Sequence, residues 1–299
     1  MIKQLIFIVF FCVISILANA QNINDILSKL PERDRQDLDE LFHILMNEDH
    51  LSYTLFGDKP VSVSGEFTIT PYENTLSGLQ SGGVFWKKWN VWKQHQDKFS
   101  IKNYLFIEEP AYNQPNKSTF IFFINKKAFL EVVDENNNVF NKILGDNLTA
   151  SQLLEKMETE HKFMSLIHES EILLGILLGY GEHNARLYEQ RMKLKRLISV
   201  PSLIGQAPLT SEGLSPIQEE YDFLNEQLKS FEDHVYSPLL LPPIHFAADP
   251  NDKETKCLKK KYNHLRGQIS LLYAHNSNFL ELILSQLTSD ELEKKFGKE

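Results

Sequence analysis

The stretch that most constrains this chain is residues 172–181, ILLGILLGYG, which carries no charge anywhere around a helical wheel and is closed by Glu169, Glu171, Glu182 and His183. A helix apolar on all sides has to be buried on all sides. A membrane span is the rival reading, but a bilayer needs ~20 consecutive apolar residues, about twice this run, so the stretch is assigned to the core. Gly175 and Gly179 lie on one helical face, where a neighbouring helix can come close. Each glycine costs a helix interior about 1 kcal/mol relative to alanine, so close packing or a break is the reason to carry it. Gly179-Tyr180-Gly181 is the candidate break. If the helix restarts there, Glu182, His183 and Asn184 stand at a fresh N-terminus, whose unpaired N–H groups and dipole favour acidic side chains or a bound anion. Together with Arg186, and with His275 and Asn276 of the last helix facing them, these residues form the candidate ligand-binding set. The plainer alternative is a helix that runs on, its polar residues meeting one another or solvent.

The chain begins with a targeting signal. Lys3 supplies a short basic start, LIFIVFFCVISIL an apolar core and Ala18-Asn19-Ala20 a small-x-small cleavage site, the layout of a secretory signal peptide occupying residues 1–20. Cys12 lies inside that core, so the lipoprotein pattern is missing. The mature chain is expected to be exported, periplasmic or secreted, with no transmembrane helix after cleavage. A formal charge of −9 argues against nucleic-acid binding, which needs a basic surface to neutralise phosphates. Cys257 is the one cysteine outside the signal, so no intramolecular disulfide can form. Four lysines around it favour thiolate, but no histidine stands at a recognisable spacing, and it reads as a plain thiol.

Residues 21–148 read as an α+β region. Apolar positions at three- and four-residue steps predict two amphipathic helices over 23–50, separated by Pro31 in the first turn of the second. Residues 61–63 and 66–70 lean towards short irregular strands. The Gly/Ser-rich segment 77–83 is expected to be a loop; it lacks the Gly-Lys-Ser/Thr ending of a phosphate loop. All three tryptophans, Trp86, Trp89 and Trp92, fall within seven residues, Phe85, Trp89 and Trp92 sharing a helical face with Lys87, Lys88 and Lys93 around it. Such a helix suits ordinary core, a membrane interface or an aromatic ligand surface, so peripheral membrane contact is one expectation for these residues. Residues 99–108 and 119–125 read as a β-hairpin, the second strand being nearly continuously apolar and therefore central, covered on both faces. A helix over 126–144 would supply one cover.

Residues 149–299 read as a helical bundle. Thr149 is the expected N-cap of a long helical region to about residue 197 that bends or breaks at the glycines; further helices are expected over 215–231 and 252–287. The apolar connection SPLLLPPIHF is read as a strap over the bundle. Glu158 and His161 have the Glu-x-x-His spacing of carboxylate-bridged metal bundles and are candidate metal ligands; a charged, solvated helix face is the plainer reading of the segment, and no cofactor is expected.

Gly-x-Ser-x-Gly, Cys-x-x-Cys and the dinucleotide glycine fingerprint are all missing. The segment GILLGYGEHNARLYEQR, together with the signal and FIFFIN, resembles a family of exported bacterial proteins of unassigned activity; the resemblance implies no reaction and no residue role. Two readings follow. One is a non-enzymatic exported protein that binds a protein or envelope partner. The other is an extracytoplasmic enzyme or small-ligand binder with its site at Glu182, His183, Asn184 and Arg186.

Overall fold

Pro31 has a fixed φ and no N–H to lose, so it suits a helix entrance. In a computed structural model of the chain it stands at the N-cap, just outside the first turn, between a helix over 23–28 (α1) and α2, Glu32–His43. The structure describes residues 23–48, 50–64, 76–110, 119–145, 148–199, 211–230, 241–244, 246–276 and 278–289. The expected signal peptide and the strand over 66–70 lie outside them. The fold is α+β, with a small antiparallel sheet in the N-terminal half and helices behind. The chain divides into two compact units that do not follow chain order.

The first unit comprises residues 1–58, 62–127 and 268–299. After α2 come α3 (Leu51–Leu55), β1 (Val61–Ser64), α4 (Leu76–His95), β2 (Tyr104–Pro110) and β3 (Thr119–Asn125). β2 pairs antiparallel with β3 from Tyr104↔Asn125 to Pro110↔Thr119, and the sheet order β1-β3-β2 puts β3 in the centre, as its continuous apolar run requires. Phe122, Phe123, Ile121 and Ile124 are all buried. Residues 77–83, expected to be a loop, lie within α4. That helix buries Phe85, Trp89 and Trp92 against α2 and the sheet: Trp92 meets Phe42 edge-on at 5.1 Å and stacks on Phe99 at 5.8 Å, while Trp89 meets Phe106 at 5.8 Å.

The second unit comprises residues 59–61 and 128–267. The expected single helix over 126–144 is two, α5 (Lys126–Glu135) and α6 (Asn137–Leu144), the latter stopped by Gly145 in the left-handed region at φ 74°. Thr149 caps α7 (Ala150–Glu160) in a reciprocal capping box with Gln152. The long helical region then breaks twice. The first break, at 161–170, has no glycine; His161, His168 and Glu169 take positive φ, and Ser170 caps α8 (Glu171–Leu177) by accepting the Leu173 N–H at 3.3 Å. The second break falls at Gly179 and Gly181, before α9 (Glu182–Ser199). Next come α10 (Ser211–Gln227), which starts before the expected residue 215, and the short pair β4 (Lys229–Ser230) and β5 (Ala247–Ala248). Between these strands the described part of the apolar strap buries Leu241, Ile244 and Phe246.

The expected last helix is also two, α11 (Lys253–Ala274) and α12 (Phe279–Thr288). His275 and Asn276 turn back to donate to the carbonyls of Leu271 and Leu272, each at 2.6 Å, and Asn278 caps α12 by accepting the Glu281 N–H at 3.2 Å. Polar side chains here satisfy backbone groups orphaned at helix ends, which is why the apolar seam is interrupted.

Candidate functional site

The glycine break is built from close approaches. Gly179 and Gly181 both have φ in the left-handed region, at 76° and 85°. A side chain on Gly179 would strike the Tyr262 hydroxyl, which donates to the Gly179 carbonyl at 2.8 Å, and one on Gly181 would run into the Glu254 carboxylate. Gly175 lets α9 sit against α8, since a Cβ there would lie 2.7 Å from the Ala185 Cβ. Backbone conformation and space together demand glycine at 179 and 181.

The anion expected at the fresh helix N-terminus is supplied by the chain itself. Glu254 of α11 accepts the Glu182 N–H at 3.3 Å and the His183 N–H at 3.1 Å, answering two of the four orphaned donors and the positive end of the dipole. Asn184, 1% exposed, donates to the Tyr180 carbonyl and to Thr255 Oγ1, each at 2.9 Å, and accepts from the Asp249 N–H at 3.0 Å and the Thr255 hydroxyl at 3.1 Å. One amide therefore ties α9 to Asp249, just after β5, and to α11 with its full bonding capacity.

Asp249 completes the network. Its carboxylate accepts the Gln227 amide at 3.0 Å and the Asn251 N–H at 2.9 Å, with His183 Nε2 3.5 Å away. The Gln227 bond first, then Asn251 and His183, hold the Asp249 carboxyl below its usual range against the opposing effect of burial. Asp252 caps α11 by accepting the N–H groups of Glu254 at 2.8 Å and Thr255 at 3.3 Å. Thus Glu182, His183 and Asn184 are brought together, but with Gln227, Asp249, Glu254 and Thr255. Arg186 is exposed and pairs with Glu182 at 2.7 Å, one turn away. His275 and Asn276 belong to the other unit, where they serve as helix caps.

Beside this network, within the same unit, lies a cleft of about 260 Å³. Leu174, Gly175, Leu178, Ala185, Phe246 and Ala247 give it apolar walls; Glu171, Tyr180, Asn184 and Tyr188 are the polar residues of its lining. Tyr180 stacks on Phe246 with ring centroids 4.4 Å apart and planes 8° from parallel. Burial, with Tyr188 alongside, pushes the Tyr180 hydroxyl up to about 12, so it stays protonated and able to donate. Lys59 lies against the same ring, its ammonium position 6.0 Å from the centroid and bonded to the Val61 carbonyl. Burial lowers its amine to about 7.

The other candidates fare differently. Glu158 is in the last turn of α7, whereas His161 is the exposed left-handed C-cap, so the helical i, i+3 relation of a metal motif is broken; among the described residues no cluster of three or more metal-ligating side chains exists. The tryptophan helix is core, which corrects the membrane and ligand readings of that face: Trp89 is 2% and Trp92 0% exposed, and Trp86 is half-buried against Phe85. Lys88, which on the membrane-interface alternative would turn towards lipid phosphates, is buried between Asp37, at 3.0 Å, and Glu40. Burial alone would lower its amine, but the two carboxylates raise it above the usual lysine value.

Gln227, Asp249, Glu254 and Thr255 were missed by sequence reasoning, since they lie up to 72 positions from their partners. The turn chemistry of Asp249-Pro250-Asn251-Asp252 was visible in the sequence, but what it would meet was not. Among described residues no helix is long and apolar enough to cross a membrane. Comparison with protein-family models, with curated proteins and with solved structures finds nothing that matches this chain.

Proposed function

We propose that this chain is an exported, non-catalytic binding protein whose binding site is the apolar cleft between Leu174, Tyr180, Tyr188 and Phe246, with the polar cluster at Glu182–Asn184 as its structural support. The single observation that carries this reading is the division of labour between the two features. The cluster's hydrogen bonds run mostly within the chain, from Glu254 to the α9 N-terminus and from Asn184 to Asp249 and Thr255, with the His183 Nε2 buried 3.5 Å from Asp249 and without a hydrogen bond. The adjoining cleft has walls that offer apolar surface with few polar atoms, the composition of a ligand pocket. The signal-like residues 1–20 support export.

The alternative, an enzyme or ligand site centred on Glu182, His183, Asn184 and Arg186, draws on the His183–Asp249 pair, which resembles an acid–base couple. The two readings separate on two variants followed by ligand-observed NMR with ethylbenzene as probe. Binding to the wild type, retained in His183→Ala and lost in a folded Leu174→Trp that fills the cleft, is the expected result. Failure of ethylbenzene to bind the wild type, or its loss in His183→Ala with folding intact, contradicts the cleft reading.

A further inference from the structure

The cleft carries two tyrosines whose hydroxyls the described chain leaves unused. Tyr180 and Tyr188 both line it, and neither hydroxyl has a hydrogen-bond partner among the described residues. A protonated phenol at a cleft wall can donate to an acceptor seated there. We infer that the cleft takes an uncharged molecule of roughly ten non-hydrogen atoms, with an apolar body seated against Leu174, Leu178 and Phe246 and a carbonyl-type oxygen accepting from Tyr180 and Tyr188.

Size and charge narrow the class. At about 260 Å³ the cleft exceeds the ~150 Å³ apolar cavity that accommodates benzene and falls short of the ~300 Å³ at which pockets for drug-sized ligands begin. An anionic ligand is disfavoured by the Glu171 carboxylate in the lining, which is one-third exposed and only loosely paired with Arg196 at 3.4 Å. A cation is disfavoured for a different reason. The aromatic faces that would hold it are already used, Tyr188 by the Arg191 guanidinium at 5.0 Å and Tyr180 by Phe246 on stacking and by Lys59 at 6.0 Å. A neutral acceptor is the chemistry left that the two donors can recognise.

This inference rests on the cleft being the binding site, and the test keeps the two apart. Full-length protein is titrated by ligand-observed NMR with four probes of matched size: acetophenone, ethylbenzene, benzoate and benzylammonium. Acetophenone is expected to bind about fivefold tighter than ethylbenzene, the worth of a modest net hydrogen bond, with benzoate and benzylammonium weaker than both. In the double variant Tyr180→Phe/Tyr188→Phe acetophenone falls to the ethylbenzene level while ethylbenzene is unchanged. Equal binding of acetophenone and ethylbenzene to the wild type, or a preference that survives the double variant, overturns the hydroxyl assignment and leaves the apolar cleft standing. Tightest binding by either charged probe overturns the neutral-ligand class. Failure of all four to bind removes the cleft reading itself.

Discussion

Asn184 shows how much one side chain does in this fold. Its amide makes four hydrogen bonds in a nearly water-free position, so Asn184→Ala leaves the Asp249 N–H, the Thr255 hydroxyl and the Tyr180 carbonyl short of partners together. The expected loss is about 2–4 kcal/mol in urea unfolding followed by circular dichroism, since each orphaned buried group costs about 1–3 kcal/mol. A loss below about 0.5 kcal/mol would show that water replaces the amide. Lys59 gives a prediction with a definite sign. Its amine is lowered from 10.5 to about 7 by burial, so between those values the unfolded chain binds a proton that the folded chain refuses, and stability rises with pH. Above 10.5 both states are neutral, and below 7 both are charged and the full cost of burial is present. The contribution has a slope of up to about 1.4 kcal/mol per pH unit in that window. Lys59→Met is therefore expected to be more stable than wild type at pH 6–7, the gap closing towards pH 10.5; parallel pH profiles for the two proteins would contradict it.

At the scale of elements, the glycines separate into those that space demands and those it does not. Gly181→Ala forces a positive φ on alanine and drives a methyl into Glu254, for an expected cost of about 2–3 kcal/mol. Gly83 sits exposed within α4 with nothing near its missing Cβ, and Gly83→Ala is expected to stabilise by about 0.5–1 kcal/mol. Thermal melts of the two variants moving in the same direction would refute the distinction. What was legible in the sequence follows the same physics. β3 was readable as the central strand because an unbroken apolar run has one use in a sheet, and Thr149 as a cap because Gln152 stands three residues on. The break at 161–170 was not readable, since histidine and glutamate in left-handed conformations leave no compositional mark. The tryptophan helix was ambiguous for a related reason, because an aromatic stripe looks alike whether a sheet, a membrane or a ligand covers it. With Trp86→Phe leaving the two buried indoles, emission is expected to be blue-shifted, resistant to acrylamide and unchanged by anionic vesicles. A vesicle-induced shift would restore the membrane reading.

For the whole molecule, each of the two units has its own core: an aromatic layer of helices and sheet in the first, a helical assembly tied by a polar network in the second. The candidate site was half legible. Residues 182–184 announced themselves by an abrupt change from apolar to polar after paired glycines, but periodicity carries no information about segments 65 or 72 positions away, and there lay the groups that bond to the open helix end. The cleft was invisible in the sequence because its walls are mostly ordinary core residues drawn from two separate segments, 171–188 and 246–247. On the proposed function, ligand meets this apolar cleft and the polar cluster beside it only holds the chain in place. The most direct measurement is a methyl and backbone NMR titration of the isotope-labelled full chain with ethylbenzene. Saturable shifts are predicted at the methyls of Leu174, Leu178, Ala185 and Ala247, with the His183 imidazole and the Arg186 side chain unmoved. Shifts centred on His183 and Arg186, or none at the cleft methyls, would contradict the account.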